Sequence, residues 1–197
     1  MQIILDLHRR SVEAIQPIIA RIRPADLGRP TPCVGWDLRA LQAHMIGQDH
    51  GFATAVAADV PVEAFAPREP SLAAHRASCD RVVEAFAAAD PTRHVLLAEF
   101  ENRRFPLRTV VGFHLLDTLV HGWDVAAALG TEVDYGGELL AAVHTQAELV
   151  PGGPARTGPG AAFAPGLPIA GTSTGWTRTL ALLGRDPRWT AGTPNHH

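Results

Sequence analysis

The sequence contains no lysine and only two cysteines, Cys33 and Cys79, among its 197 residues. Two cysteines are too few for a disulfide-stabilised scaffold, and their spacing fits neither a zinc ribbon nor a redox dithiol. We therefore expect a reducing, cytoplasmic environment. The missing lysine, together with abundant Ala, Gly, Pro and Arg, is typical of a high-GC bacterial genome.

A strong charge and long apolar runs are missing as well. The formal net charge is -3, and the arginines are scattered apart from the pairs Arg9-Arg10 and Arg103-Arg104. Such a chain offers no basic surface for nucleic acid. No stretch is long and apolar enough for a membrane span, and the first residues indicate an amphipathic helix rather than a secretory leader. We expect neither nucleic acid nor a membrane as a partner.

Apolar residues at helical spacing are the dominant pattern in the sequence. Hydrophobic residues make up 46% of the chain, which is enough to form the core of one globular domain of this length. The predicted helices span about 2–22, 37–58, 72–89, 106–130 and 137–150. Residues 94–100 are apolar and short enough to be extended, so strand content should be slight.

The C-terminal quarter has a different composition. Residues 151–168 are so rich in Gly and Pro that they predict irregular chain, followed by a last helical turn or two over about 174–183. We therefore predict an all-α protein of one domain over residues 1–197. Its core, about 1–150, would be an antiparallel bundle of four long helices, and 151–197 would form a looser wrap.

Three polar residues of the fourth predicted helix fall on one face. His114, Asp117 and His121 stand at i, i+3 and i+7, which confines their side chains to a narrow stripe at about 100° per residue. Val110 and Phe113 lie near the same face, so the stripe should point into the core. An unpaired carboxylate or imidazole is costly there, so these residues need partners inside the protein.

His44 occupies the inward stripe of the second predicted helix, beside Leu41 and Gln48. Facing helices of a bundle lie about 8–10 Å apart, a gap that one ion with three side-chain ligands can span. His44, Asp117 and His121 would offer two imidazoles and a carboxylate to zinc or another first-row divalent ion. Alternatively, Asp117 and His121 form an i, i+4 helix pair and His44 is a hydrogen-bonded interior histidine. Spacing alone leaves both options open.

Three separated segments carry a family resemblance. The first is Thr31-Pro32-Cys33-Val34-Gly35-Trp36-Asp37, followed by Leu41 and His44. The second runs from Leu116 to Asp124 and ends in H-G-W-D. The third is the tail from Leu180 to Pro187, L-A-L-L-G-R-D-P. These segments resemble the DinB-like proteins related to mycothiol-dependent maleylpyruvate isomerase, over nearly the whole chain.

The resemblance implies a DinB-like four-helix bundle around a divalent ion. A histidine of the second helix and an acid-x-x-x-histidine pair of a later helix would hold the ion, and these ligands fall on His44, Asp117 and His121. The chain departs from the isomerase that it resembles in two respects. The isomerase carries a glutamate at the position of Asp117, and it has an additional C-terminal domain for which this chain is too short.

The function that the resemblance implies is that of a metal-dependent isomerase or thiol transferase. The ion, zinc before nickel, manganese or iron, would activate a thiol or water, and mycothiol would be the co-substrate that attacks a small electrophile. His114, one turn before Asp117, is the candidate catalytic residue, as a fourth ligand or proton carrier; the alternative is that it orients a ligand.

Two other classes of function stay open. One is a non-catalytic metal- or ligand-binding bundle, which predicts a closed coordination sphere. The other is an enzyme of specialised metabolism that uses the same ion without a thiol. Bundles of this size often form homodimers, although no exposed stripe demands one.

Several weaker candidates accompany the three predicted ligands. We expect His8 to be a satisfied core residue and Cys33 a small buried thiol with no adjacent basic partner. Asp124 either supports the site or caps nearby backbone. Arg103 and Arg104 are expected to be a solvated pair.

Overall fold

The computed structural model of the chain describes residues 1–158, 162–168 and 173–192. Residues 159–161, 169–172 and 193–197, which belong to the predicted C-terminal wrap, lie outside the described residues. Within the described ranges the protein is helical apart from one small hairpin, as the sequence predicts. The helices are α1 (Gln2–Ile19), α2 (Leu38–Ala55), α3 (Leu72–Ala88), α4 (Leu107–Leu129), α5 (Gly136–Glu148) and α6 (Gly175–Leu182).

Local capping explains where some of these helices begin or end. The carboxylate of Asp37 accepts a hydrogen bond from the Ala40 amide at the start of α2, and the Ser71 hydroxyl accepts one from the Ala74 amide at the start of α3. Gly130, with φ of 68°, ends α4 in the left-handed conformation that glycine adopts without strain. The predicted helix bounds are therefore confirmed to within a few residues.

The first helix is shorter than the sequence predicts. It ends at Ile19 instead of about residue 22. Pro17 lies in its last turn, and the amides of Arg21 and Ile22 then bond to carbonyls three residues back, as in a tighter 3₁₀ turn. The apolar periodicity continues through Arg21 and Ile22, so a prediction from periodicity alone made the helix too long.

A two-stranded antiparallel hairpin precedes α4. Strand β1 (His94–Leu97) pairs with β2 (Arg103–Pro106). Glu101 and Asn102 turn the chain between them with φ of 53° and 57°. The extended segment at 94–97 is thus confirmed, whereas residues 98–100 form a 3₁₀ turn and the second strand was not predicted.

Helix α4 is the centre of the bundle. It packs against α1, α2 and α5, and most of its residues are buried. One core cluster joins aliphatic residues around it, including Ile15, Leu41, Leu115, Leu119 and Val143. A second cluster is more aromatic and includes Phe52, Phe65, Phe86, Val95 and Val110. Because α4 is covered by other helices, its buried polar residues, among them His114, His121 and Asp124, face protein instead of water.

The described part of the C-terminal segment packs back onto the bundle. Helix α6 lies against α5, and the Leu167 amide donates to the carbonyl of Ala181 at 2.8 Å. Arg156 donates to the carbonyls of Pro151 and Val150 at 2.7 and 3.0 Å and also to that of Leu182. Among the described residues, no helix combines the length and apolar character that crossing a membrane requires.

A close approach at Gly47 of α2 gives a test of this packing. An alanine Cβ at residue 47 would stand 2.5 Å from the carbonyl oxygen of Ala66 and 2.7 Å from that of Phe65. Because backbone atoms cannot move aside cheaply, Gly47→Ala should reduce the free energy of unfolding by about 1–3 kcal/mol in urea denaturation.

The matched control is Gly137→Ala in α5. Its Cβ would meet no heavy atom within 4 Å, and alanine is favoured over glycine in helices by up to about 1 kcal/mol. Gly137→Ala should therefore be neutral or slightly stabilising. Equal effects of the two substitutions would contradict the close approach at Gly47.

Candidate metal centre

The structure brings His44, Asp117 and His121 together between α2 and α4. One ligand atom from each residue lies within 4.8 Å of the other two. Nε2 of His121 is 3.2 Å from Oδ1 of Asp117 one turn away on α4, and the rings of His44 and His121 meet edge to face with centroids 5.1 Å apart. The convergence that helical spacing and resemblance predicted is therefore present in the fold.

The three side chains differ in their access to solvent. The side chain of His121 is 6% exposed and that of Asp117 is 24% exposed. His44 is half-buried. The Trp36 ring packs beside His44 with centroids 4.8 Å apart. The group therefore lies at the edge of the core, open on the side of Asp117 and His44.

A buried carboxylate holds His121 from behind. Oδ2 of Asp124 lies 2.9 Å from Nδ1 of His121. Because a carboxylate can only accept, Nδ1 carries the proton of this contact. Nε2 of His121 then faces Asp117. A carboxylate behind a histidine in this way orients the ring of a metal ligand. Asp124 thus supports the site, one of its two predicted roles.

Asp124 is itself held by the C-terminal segment. Nη2 of Arg185 donates to Oδ2 of Asp124 at 3.3 Å, and Sγ of Cys33 donates to the same oxygen at 3.1 Å. Asp124 is fully buried and Arg185 is 7% exposed. This ion pair fastens the chain after α6 to the base of the candidate site.

The charges of the group follow from burial and mutual contact. Burial is the main reason that the pKa of His44 falls to about 4, with the charges of His121 and Arg185 acting in the same direction. Burial also acts to lower the pKa of His121, but the charge of Asp117 and hydrogen bonds with Asp117 and Asp124 raise it well above its ordinary value. At neutral pH His44 is therefore a neutral imidazole with a free lone pair.

Asp117 is the anion of the group. Burial acts to raise its pKa, but the charge of His121 and a hydrogen bond from His121 lower it below its ordinary value. A carboxylate that stays ionised beside two imidazoles can serve as an oxygen ligand to a cation.

Glu99 stands close to this group and was not predicted from the sequence. Its Oε1 accepts a hydrogen bond from Nε2 of Gln48 at 3.0 Å. Burial raises the pKa of Glu99 to about 7, the Gln48 bond opposes this change, and the charge of Asp117 adds to it. Glu99 can therefore take up or release a proton near neutral pH.

Cys33 has basic neighbours that the sequence did not show. Its Sγ is 3.9 Å from Nδ1 of His121 and 3.6 Å from Nη2 of Arg185. Burial and the charge of Asp124 nevertheless raise the pKa of its thiol. The expectation that Cys33 has no adjacent basic partner is wrong, and the thiol expected to be buried is partly buried.

His114 lies outside the group formed by His44, Asp117 and His121. Its Nε2 is 3.0 Å from Oδ1 of Asp49, and its Nδ1 is 2.8 Å from Nε2 of His8. Both ring nitrogens are thus occupied, so a role as ligand or proton carrier at the candidate site would require the loss of one partner. His8 is buried and hydrogen-bonded, in line with its expected role as a satisfied core residue.

Two further outcomes concern arginines. Arg103 and Arg104 lie exposed on β2, and Arg104 forms an ion pair with Asp59, in agreement with a solvated pair. Arg185 was not singled out from the sequence, although it lies in the tail segment that carried the resemblance. Only its place in that segment could have indicated a role.

Comparison with known proteins finds a matching family and similar proteins. Residues 8–126 match the family described as mycothiol maleylpyruvate isomerase N-terminal domain. Two uncharacterized proteins of Mycobacterium tuberculosis, Rv0738 and MT0763, are each 32% identical over 181 residues, which is 92% of this chain and 97% of theirs.

Solved structures share the fold. The crystal structure of the mycothiol-dependent maleylpyruvate isomerase matches with a TM-score of 0.61 at 16% identity, covering 74% of this chain and 67% of that chain. A mutant of the same isomerase matches with a TM-score of 0.61 at 15% identity. At this identity the likeness shows the fold alone.

The buried pair of Asp124 and Arg185 gives a test of the site's foundation. Arg185→Met removes the cation and leaves a buried carboxylate with less compensation, which should cost about 3 kcal/mol in the urea unfolding of metal-free protein. The control is Arg188→Met, whose side chain is 92% exposed, with an expected change within about 0.5 kcal/mol. Similar small losses in both variants would show that Arg185 does not anchor the site.

Proposed function

The chain belongs to the mycothiol maleylpyruvate isomerase N-terminal domain family, and from this premise we propose that it is a metal-dependent thiol enzyme. It would activate a low-molecular-weight thiol, mycothiol or a close analogue, for attack on a small electrophile. The observation that carries the proposal is the convergence of His44, Asp117 and His121 at the edge of the core.

The donor set suits a first-row divalent ion. Bonds of about 2.0–2.2 Å in a tetrahedral zinc site place neighbouring nitrogen and oxygen ligands about 3.4 Å apart, close to the 3.2 Å between His121 and Asp117. Two imidazoles with one carboxylate leave such an ion a net positive charge. A partly buried carboxylate and imidazole are costly unless they are paired, hydrogen-bonded or bound to a metal.

Solvent access favours catalysis over a purely structural ion. Three protein ligands leave coordination positions free for a thiol or water, as in catalytic sites. The 24% exposure of the Asp117 side chain supports open positions on the side that small molecules can reach. A purely structural ion would instead be enclosed away from solvent.

A bound divalent ion would lower the pKa of a coordinated thiol and so supply a thiolate at neutral pH. Neighbouring residues would position the ligands and accept the proton that this chemistry releases. Asp124 fixes the His121 ring, and Trp36 packs against His44. Glu99, with a pKa of about 7, is the group that would accept the thiol proton on its carboxylate.

The proposed reaction begins with addition of sulfur to an electrophilic carbon. The thiol proton passes to Glu99, and the sulfur lone pair forms a carbon–sulfur bond while the π bond of the electrophile opens onto its activating carbonyl. Rotation about the resulting single bond and expulsion of the thiolate give an isomer. When the sulfur is retained and the carbon takes a proton from Glu99, the same first step gives a thiol adduct.

Metal analysis tests the assigned ligands. Zinc-loaded His121→Ala, His44→Ala and Asp117→Asn should each hold about one metal equivalent less than the wild type, because three ligands form one site. The measurement is elemental analysis of dialysed, folded protein. His94→Ala, which removes an exposed histidine of β1, is the control and should keep the full content. Undiminished metal in His121→Ala would refute the assignment.

Thermal unfolding tests the use of a thiol. Mycothiol at about ten times its dissociation constant should stabilise the metal-loaded protein by about 1.4 kcal/mol, or about 3–6 °C in Tm, and leave the metal-free protein unchanged. S-methylated mycothiol, which cannot form a thiolate, is the matched control. Equal shifts with both compounds would mean that the thiol sulfur is not what the protein binds.

A further inference from the structure

A second group of ligand-type side chains is buried between α2 and α3. It comprises Asp49 of α2 and His75 and Cys79 of α3, which are 5%, 1% and 3% exposed. His75 and Cys79 stand at i and i+4, so both point from one face of α3 toward Asp49. None of the three belongs to the site of His44, Asp117 and His121.

The distances within this group match those of a metal site that contains sulfur. Sγ of Cys79 lies 3.5 Å from Nε2 of His75 and 3.6 Å from Oδ2 of Asp49, and one ligand atom of each residue lies within 4.8 Å of the others. Bonds of about 2.3 Å to sulfur and about 2.0–2.2 Å to nitrogen or oxygen give tetrahedral edges of about 3.6 Å. The side chains are thus already spaced as ligands.

Neighbouring residues fix the carboxylate in this position. The hydroxyl of Ser78 donates to Oδ2 of Asp49 at 2.6 Å, and Nε2 of His114 lies 3.0 Å from Oδ1. His114 in turn contacts His8 of α1. The carboxylate is therefore held from α3, α4 and α1 together, in the way that outer partners orient a metal ligand.

Hydrogen bonding alone leaves this group incomplete. Nδ1 of His75 is buried and has no hydrogen-bond partner among the described residues. The contacts of Cys79 are those of a weak thiol donor. A buried imidazole that lacks a full set of hydrogen-bond partners costs free energy, so hydrogen bonding by itself does not account for His75 at this position.

We propose that Asp49, His75 and Cys79 form a second metal site, which holds a zinc-like divalent ion through one carboxylate, one imidazole and one thiolate. Thiolate and imidazole ligands select zinc-type ions over magnesium or calcium. Because the site is buried and joins α2 to α3, its role is structural. It is independent of the proposed thiol chemistry at the first site.

Binding of the ion replaces a proton. Without metal, burial and the charge of Asp49 raise the pKa of the Cys79 thiol, while burial lowers the pKa of His75. Cys79 therefore enters as a thiol and His75 as a neutral ring. Each ion that binds forms a metal–sulfur bond, breaks the sulfur–hydrogen bond and sends one proton to solvent.

Cobalt substitution tests the proposal without altering the new site. In Cys33→Ser, Cys79 is the only remaining thiol, so a near-ultraviolet thiolate-to-cobalt charge-transfer band in the full-length, cobalt-loaded protein assigns the ligand to Cys79. We expect this band, release of one proton from Cys79 and a metal content of two equivalents. Absence of the band in Cys33→Ser would overturn the proposal.

Two variants separate the sites. In His121→Ala the charge-transfer band should persist while the metal content falls by one equivalent, because the first site has no thiolate ligand. In Cys79→Ser the band should vanish with loss of the other equivalent and a lower Tm for the metal-loaded protein. A band that persists in Cys79→Ser and disappears in Cys33→Ser would place the thiolate beside His121 and refute the second site.

Discussion

The burial of α4 is the constraint on which the rest of the structure depends. This helix is covered by α1, α2 and α5, yet it carries His114, Asp117, His121 and Asp124. A buried polar side chain needs a partner, because its lost hydration is not otherwise replaced. Each of these residues therefore has a polar partner on another element. His44 of α2 lies opposite Asp117 and His121, and Asp49 of α2 lies opposite His114. Arg185 of the C-terminal segment pairs with Asp124.

These partners divide the interior into two polar groups with different surroundings. The group of His44, Asp117 and His121 lies at the edge of the core, where Asp117 still meets solvent. The group around Asp49, His75 and Cys79 is closed on every side by buried residues. Access to solvent suits a site that exchanges small molecules, whereas full enclosure suits one that only joins helices. If both proposals hold, the same kinds of ligand would serve different purposes according to depth.

Most of the fold could be predicted from the sequence because its signals are local. Apolar periodicity placed the helices to within a few residues, and Asp37 and Gly130 stand at the start of α2 and the end of α4. The errors occurred where local signals were weak: α1 ended early at a tighter turn after Pro17, and β2 depends on pairing with β1. The candidate ligands were found because the resemblance added weight to a spacing that also fits a simple helix pair.

Helical periodicity is enough to show that His114, Asp117 and His121 share one face of a helix, because it fixes the angle of each side chain about the helix axis. Which partner each residue meets depends on how the helices pack. Asp117 and His121 turn to His44, while His114 turns to Asp49 and His8. Glu99 and Arg185 reach the first site from distant segments. The rotation and register of one helix against another depend on packing between residues far apart in the chain, which no local spacing records.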